Sequence, residues 1–177
     1  MEIIPMLLKE MEQEAQITRK MLEIVPADKF KWQPHPKSMN IETLAVHIAD
    51  VPNWVALGVH TDGLNFAESP YDPGKAETTQ DLLDIFEKSL AQGKAALEST
   101  TEEELLKPWI LSNGDQILQR YNKIGVIRVA LCQLVHHRAQ LGVFLRLLNI
   151  PIPGSYGPSA DVLSGEYQDK ANLVSSN

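Results

Sequence analysis

NKIGVIRVALCQLVHHRAQLGVFLRLLN, residues 122–149, is the longest stretch of this sequence in which apolar side chains recur at helical spacing. Residues 150–154, Ile-Pro-Ile-Pro-Gly, end it, because two prolines and a glycine do not continue a helix. At about 100° per residue, Gln133, His137 and Phe144 share one face. The stretch therefore predicts a long helix in which polar groups interrupt an apolar stripe.

Three further segments have helical periodicity. The first spans residues 2–24, the second begins near Asn40 and ends no later than Asp62-Gly63, and the third spans residues 79–99. Pro52 is expected to kink or end the second helix, because proline has no backbone N–H to donate. Four long helices bury their apolar stripes most simply as a bundle.

The connections between these helices differ in length. Residues 61–78 contain two prolines and have the composition of a long, irregular crossover. Asn113-Gly114 tolerates the positive φ angles of a tight turn, and residues 109–112 and 115–118 flank it as short strands. We therefore predict an all-α single domain over residues 1–177, a four-helix bundle with a long crossover connection and room for a small β-hairpin between helices three and four.

Composition limits the kinds of partner. The chain has 177 residues, a formal net charge of -7 and 44% hydrophobic residues, which is typical of a soluble globular protein. An acidic chain is unsuited to the phosphate backbone of nucleic acids. There is no basic, apolar leader and no run of about 18 apolar residues, so we expect a cytoplasmic protein that does not span a membrane. The lone Cys132 is expected to be a buried structural thiol.

Two histidines are predicted to point into the bundle. On the second helix His47 shares a face with Leu44, Val51 and Trp54, and on the fourth helix His137 lies one turn after Gln133. His47, Gln133 and His137 could thus form a three-ligand metal site across the interior, with zinc, nickel, iron or copper suited to neutral imidazole. The alternative is that these histidines are hydrogen-bonded core residues without a metal.

Several neighbouring side chains have possible supporting roles. Asp50 could orient the His47 ring by accepting its second ring proton, as the outer shell of metal sites commonly does. His136 lies on the flank of the His137 face and is a secondary ligand candidate. The remaining histidines and the tryptophans are expected to be surface residues and core residues, respectively: His35 and His60, and Trp32, Trp54 and Trp109.

Three segments carry a resemblance to the DinB/YfiT-like superfamily. Residues 136–141, His-His-Arg-Ala-Gln-Leu, followed by Leu145-Arg146, resemble the signature on the last helix of DinB-like proteins. Residues 34–49 are similar to the entry into the family's second helix and its first metal histidine, and residues 151–161 are similar to the tail of one branch. The resemblance covers nearly the whole chain.

The resemblance implies a bundle with a long crossover, commonly a homodimer, with metal ligands at His47, position 133 and His137. The family usually has histidine at position 133, so Gln133 implies weaker metal binding or none. The resemblance implies relatives among transferases and isomerases that use a small thiol, in which a metal can lower the pKa of the bound thiol. The expected functions are a metal-dependent thiol transferase with a small-molecule substrate, an inactive dimeric binding or stress-associated bundle, or a metal-dependent hydrolase. Arg138 is expected to pair with a carboxylate.

Overall fold

The computed structural model describes residues 2–169; Met1 and residues 170–177, which the predicted domain includes, lie outside that part of the chain. The helices, in chain order, are α1 Ile3–Leu22, α2 Ile41–Asp50, α3 Asn53–His60, α4 Thr79–Ser99, α5 Glu102–Leu105, α6 Lys123–Leu147 and α7 Ala160–Ser164. The strands are β1 Gly63–Asn65, β2 Pro108–Asn113 and β3 Gln116–Asn122. The described chain is mostly helical and carries a small sheet, whereas the sequence predicted four helices and at most a hairpin.

Local side chains explain where the main helices begin. The Asn40 side chain accepts a hydrogen bond from the N–H of Thr43 at 2.8 Å, and Asn122 accepts one from Gly125 at 2.9 Å. Thr78 and Asp81 form a capping box at the start of α4. The predicted starts of these helices are therefore correct to within one residue.

Pro52 divides the second predicted helix into α2 and α3. Proline has no N–H to donate, but its neighbours keep the backbone hydrogen-bonded. Val51 N–H donates to the carbonyl of His47 at 3.0 Å, and Trp54 N–H donates to the carbonyl of Val51 at 2.9 Å. The break is thus small, and the chain continues in helical turns on both sides of it. Asp50 and Trp54 remain close enough for a hydrogen bond.

The sheet is built from the predicted hairpin and one additional strand. β2 and β3 pair antiparallel around the turn at Gly114, where φ is +58°. β1, which lies in the crossover, pairs parallel with β2. The Asn65 side chain accepts a hydrogen bond from Gly114 N–H at 2.8 Å, so the crossover is attached to the tip of the hairpin.

The core lies where the long helices pack on one another. α1 packs against α4, and the α2–α3 segment also packs against α4. α6 packs against α1 and against the α2–α3 segment. Phe86, Leu97, Ile127 and Leu141 are fully buried there. No helix among residues 2–169 is long and apolar enough to cross a membrane.

A buried ion pair joins α1 to α6. Arg138, 2% exposed, contacts the carboxylate of Glu14 at 2.6 Å and donates a hydrogen bond to the Thr18 hydroxyl at 2.9 Å. The hydroxyl of Tyr156, from the segment after α6, donates to Glu14 at 2.8 Å. The expected pairing of Arg138 with a carboxylate is confirmed.

Candidate metal site and adjoining cleft

His47 lies near the end of α2 with its side chain buried between helices. It is one of seven buried residues of α2, and the residue is 9% exposed. Its ring centroid is 4.6 Å from that of His137 on α6, at an interplanar angle of 79°. The two imidazoles that the sequence placed on different helices are therefore in direct contact.

A tyrosine from the crossover connects His47 to Asp50. The Tyr71 hydroxyl lies 2.8 Å from Nδ1 of His47 and donates a hydrogen bond to Oδ2 of Asp50 at 3.1 Å. Because an ionised carboxylate only accepts, the tyrosine proton points to Asp50, and His47 donates its Nδ1 proton to the tyrosine oxygen. This arrangement leaves a lone pair on Nε2 of His47. Asp50 was expected to bond the ring directly and instead acts through Tyr71.

Burial tunes the ionisation of this group. Burial, together with the charge of His137, lowers the pKa of His47 to about 4. Burial raises the pKa of Tyr71, and the neighbouring Asp50 charge raises it further, so the tyrosine keeps its proton. Burial also raises the pKa of Asp50, although hydrogen bonds from Tyr71 and Trp54 oppose that effect. At neutral pH His47 is neutral, which is the form that binds metals.

His137 has the same pattern of hydrogen bonding. Its Nδ1 lies 2.9 Å from Oε1 of Gln140, an amide oxygen that accepts, so Nδ1 carries the proton and Nε2 has a free lone pair. Gln133 lies one turn earlier on α6 and is half-buried. Within residues 2–169 its amide forms no hydrogen bond. Both imidazoles are thus held at Nδ1, and among the described residues neither Nε2 has a hydrogen-bond partner.

These residues fit a divalent cation in part. No group of three or more His, Cys, Asp or Glu side chains suited to a metal is present among the described residues. The available donors are two imidazoles whose Nδ1 atoms are held by oxygen atoms, as in the outer shell of many metal sites, and one amide. An amide oxygen is a weak ligand for the metals that prefer imidazole. The donor set suits a cation bound by two strong ligands and one weak one.

A cleft adjoins the histidine pair. It encloses about 300 Å³ between α3, α6, the sheet and the crossover, and it shares Asp50, Trp54 and Tyr71 with the surroundings of His47. The Trp54 ring lies 5.4 Å and the Tyr71 ring 5.5 Å from that of His47. We call this space the aromatic cleft because five aromatic side chains line it: Trp54, Phe66, Tyr71, Trp109 and Tyr121.

The structure tests the expectations for individual residues, and the one for Cys132 is wrong. Cys132 is exposed on α6 and was expected to be buried. Trp54 is half-buried at the aromatic cleft, whereas Trp109 is 3% exposed and is a core residue as expected. His136 is exposed, and its ring lies 4.9 Å from that of His137. His35 and His60 are exposed, as predicted.

Tyr71 and Gln140 are the residues of this site that the sequence did not indicate. Tyr71 lies in an irregular loop, where no periodicity assigns a direction to a side chain. Gln140 follows His137 by three residues, and this helical spacing brings the two side chains together. The spacing could have identified Gln140, while Tyr71 required the tertiary structure.

Known proteins resemble the chain over most of its length. The family model described as DinB family matches residues 4–169. A DinB-like protein from Bacillus subtilis has a TM-score of 0.65 at 18% identity, covering 85% of this chain and 96% of that chain. For a DinB-like protein from Bacillus cereus the values are 0.64, 18%, 85% and 95%. A DinB-family protein from Exiguobacterium sibiricum gives 0.59 and 19%, covering 92% and 98%. These identities show the common fold alone, and no curated protein sequence matches the chain.

Proposed function

Because the chain belongs to the DinB family, we propose that His47, Gln133 and His137 bind a divalent cation and that the aromatic cleft holds a small-molecule substrate beside it. The observation that carries the proposal is the pairing of His47 and His137. Their rings are in contact at 4.6 Å between centroids, and each Nδ1 is held by a hydrogen bond, which leaves both Nε2 atoms available. Two neighbouring imidazoles whose Nε2 atoms have no hydrogen-bond partner among the described residues offer a cation two strong donors.

The residues have separate roles in this proposal. His47 and His137 are the strong ligands, and the Gln133 amide is a weak third ligand or positions a water molecule. Zinc, nickel or iron suits such a set. When bound, the cation would lower the pKa of a small thiol or of a water molecule. The resulting thiolate or hydroxide would be the nucleophile. Tyr71 holds the His47 ring in one orientation, and Asp50 holds the tyrosine proton.

Metal content tests the site directly. Untagged protein purified without chelator is analysed for elements, together with His47→Ala, His137→Ala and the control His136→Ala. We expect roughly one metal ion per chain in the parent and the control, and loss of the ion in the two other variants. His136 is a matched control because it is the neighbouring, exposed histidine on the same helix. A parent protein that binds no zinc, nickel or iron, even on titration, refutes the proposal.

Gln133 favours one alternative, a bundle that binds without catalysis. Its amide replaces the third strong ligand that a catalytic metal centre commonly has. The Gln133→His variant separates the two functions. If the parent lacks metal and the variant binds it tightly, the binding bundle is supported; if both bind equally, the alternative is wrong.

The reaction class needs its own assay. A metal-dependent thiol transferase consumes an electrophile only when a small thiol is present, whereas a metal-dependent hydrolase releases product from an ester, amide or epoxide with water alone. Parent protein and His137→Ala are compared on both sets of substrates. Activity that survives in His137→Ala does not come from this site.

The proposal includes the assembly and location of the protein. It treats α1, the α2–α3 segment, α4 and α6 as the four helices of a bundle, and it places a homodimer in the cytoplasm. Val143 and Leu147 are 59% and 58% exposed one turn apart on α6, where a second copy would cover them. Sedimentation of the parent and of Val143→Glu tests the dimer, since the added charge should yield monomers.

A further inference from the structure

The lining of the aromatic cleft is mostly aromatic and aliphatic. Five of the residues that line it carry aromatic rings, and most of the others are Leu, Val or Pro. The Trp54 and Tyr71 rings stand 5.7 Å apart at 89° to each other, so they form a corner of the cleft. The face of an aromatic ring carries negative charge density and attracts a cation placed over it.

The charge of the cleft has one sign. Asp50 and Asp72 are among the lining residues, and within residues 2–169 no Lys, Arg or His side chain lines the cleft. Asp50 is half-buried and accepts hydrogen bonds from neutral donors, which include the Tyr71 hydroxyl at 3.1 Å and the Trp54 indole at 3.3 Å. Neither bond neutralises the carboxylate.

The Asp50 carboxylate has hydrogen-bond donors but no positively charged partner among the described residues. Partial burial removes water from Asp50, and burial accordingly raises its pKa. Among the described residues, Asp50 forms no ion pair, in contrast to the carboxylates of Glu14 and Asp161, which have arginine partners. A cation in the cleft would supply the missing charge and would also contact the ring faces.

We propose that the aromatic cleft binds an organic cation, an ammonium group on an apolar or aromatic body. The ammonium lies in the Trp54–Tyr71 corner next to Asp50, and the body packs on the apolar wall. The inference deepens the proposed function by naming its substrate class, and it rests on that function in taking the cleft as the place of the substrate. It disfavours anionic substrates, because the two carboxylates would repel them.

Three probes with the same benzyl body test this inference. Benzyltrimethylammonium is a cation, neopentylbenzene is its neutral isostere, and phenylmethanesulfonate is an anion. Binding is followed by the Trp54 indole N–H resonance in full-length protein, both as purified and after treatment with chelator. We expect the cation to bind about tenfold or more tightly than the neutral isostere, since only the cation gains a cation–π contact and the attraction of the Asp50 carboxylate. The anion should not bind measurably.

Two matched variants locate the selectivity. Asp50→Asn removes the charge and keeps an oxygen that accepts hydrogen bonds. Glu10→Gln makes the same change at an exposed position of α1, outside the cleft. Asp50→Asn should weaken binding of the cation about tenfold and leave the neutral probe unchanged, while Glu10→Gln should change neither. The comparison of the three probes on the parent protein stands even if Asp50→Asn does not fold.

Each result bears on the inference. Equal binding of the cation and its isostere, preference for the anion, or equal effects of Asp50→Asn and Glu10→Gln overturns it. Selective cation binding by protein that fails to bind metal supports the inference and refutes the metal site. Metal binding without selectivity among the probes refutes the inference and leaves the metal site standing.

Discussion

The buried ion pair between α1 and α6 gives a quantitative prediction for stability. Arg138 and Glu14 have side chains that are 2% and 4% exposed, so Arg138→Met leaves a carboxylate away from water without its cation. Removing one partner of a buried pair costs about 3–5 kcal/mol. For a chain of this size each kcal/mol lowers the melting temperature by about 2–4 °C, so we expect a decrease of about 6–20 °C.

The assay is thermal and urea unfolding of the parent, Arg138→Met, Arg128→Met and the double variant Glu14→Leu/Arg138→Met. Arg128 is an exposed arginine on the same helix, so its substitution should change the free energy of unfolding by about 0.5 kcal/mol or less. The double variant should be at least about 1 kcal/mol more stable than Arg138→Met, because it no longer buries an unpaired charge. A double variant no more stable than Arg138→Met would refute this reasoning.

Three further predictions concern packing, the candidate site and the C-terminal segment. A Cβ on Gly93 would lie 2.5 Å from a backbone carbonyl oxygen, so Gly93→Ala should lose about 1–3 kcal/mol in urea unfolding, whereas Gly58→Ala, with a side-chain contact at 3.2 Å, should lose less. Tyr71→Phe should weaken metal binding about 10–100-fold in titrations, with Tyr121→Phe, also at the cleft, unchanged. A hydrogen bond from a backbone N–H and the charge of an arginine lower the pKa of Asp161. The stability that Asp161 contributes is therefore present above its unfolded pKa and is lost as pH falls through the lowered value. Asp161→Asn should make residues 152–164 sensitive to proteolysis at neutral pH, whereas the parent should become sensitive only in acid.

The helices were predictable because their signals are local. Apolar periodicity located α1, α4 and α6 to within a few residues, and the side chains of Asn40 and Thr78 cap helices at or next to their predicted first residues. The same periodicity placed His47 and His137 on facing sides of their helices, and the structure shows His47 buried and His137 half-buried. Contacts within a few turns of helix contain enough information for these predictions.

The remaining parts depend on contacts between distant residues. β1 has three residues and exists because it pairs with β2, more than forty positions later in the chain. Tyr71 reaches His47 from a loop, which no repeating pattern describes. Cys132 was expected inside because cysteine is commonly buried, but its side of α6 faces solvent.

Tyr71 lies in the crossover loop and not on a helix, so the site has a loop part and a helix part that can change independently. The imidazoles of His47 and His137 are positioned by packed helices, and mutation there risks the core. The loop contributes Phe66 and Tyr71 to the cleft while lying on the surface. Changes in the loop sequence can therefore alter the lining of the aromatic cleft, while the helices keep the two histidines of the proposed metal site in place.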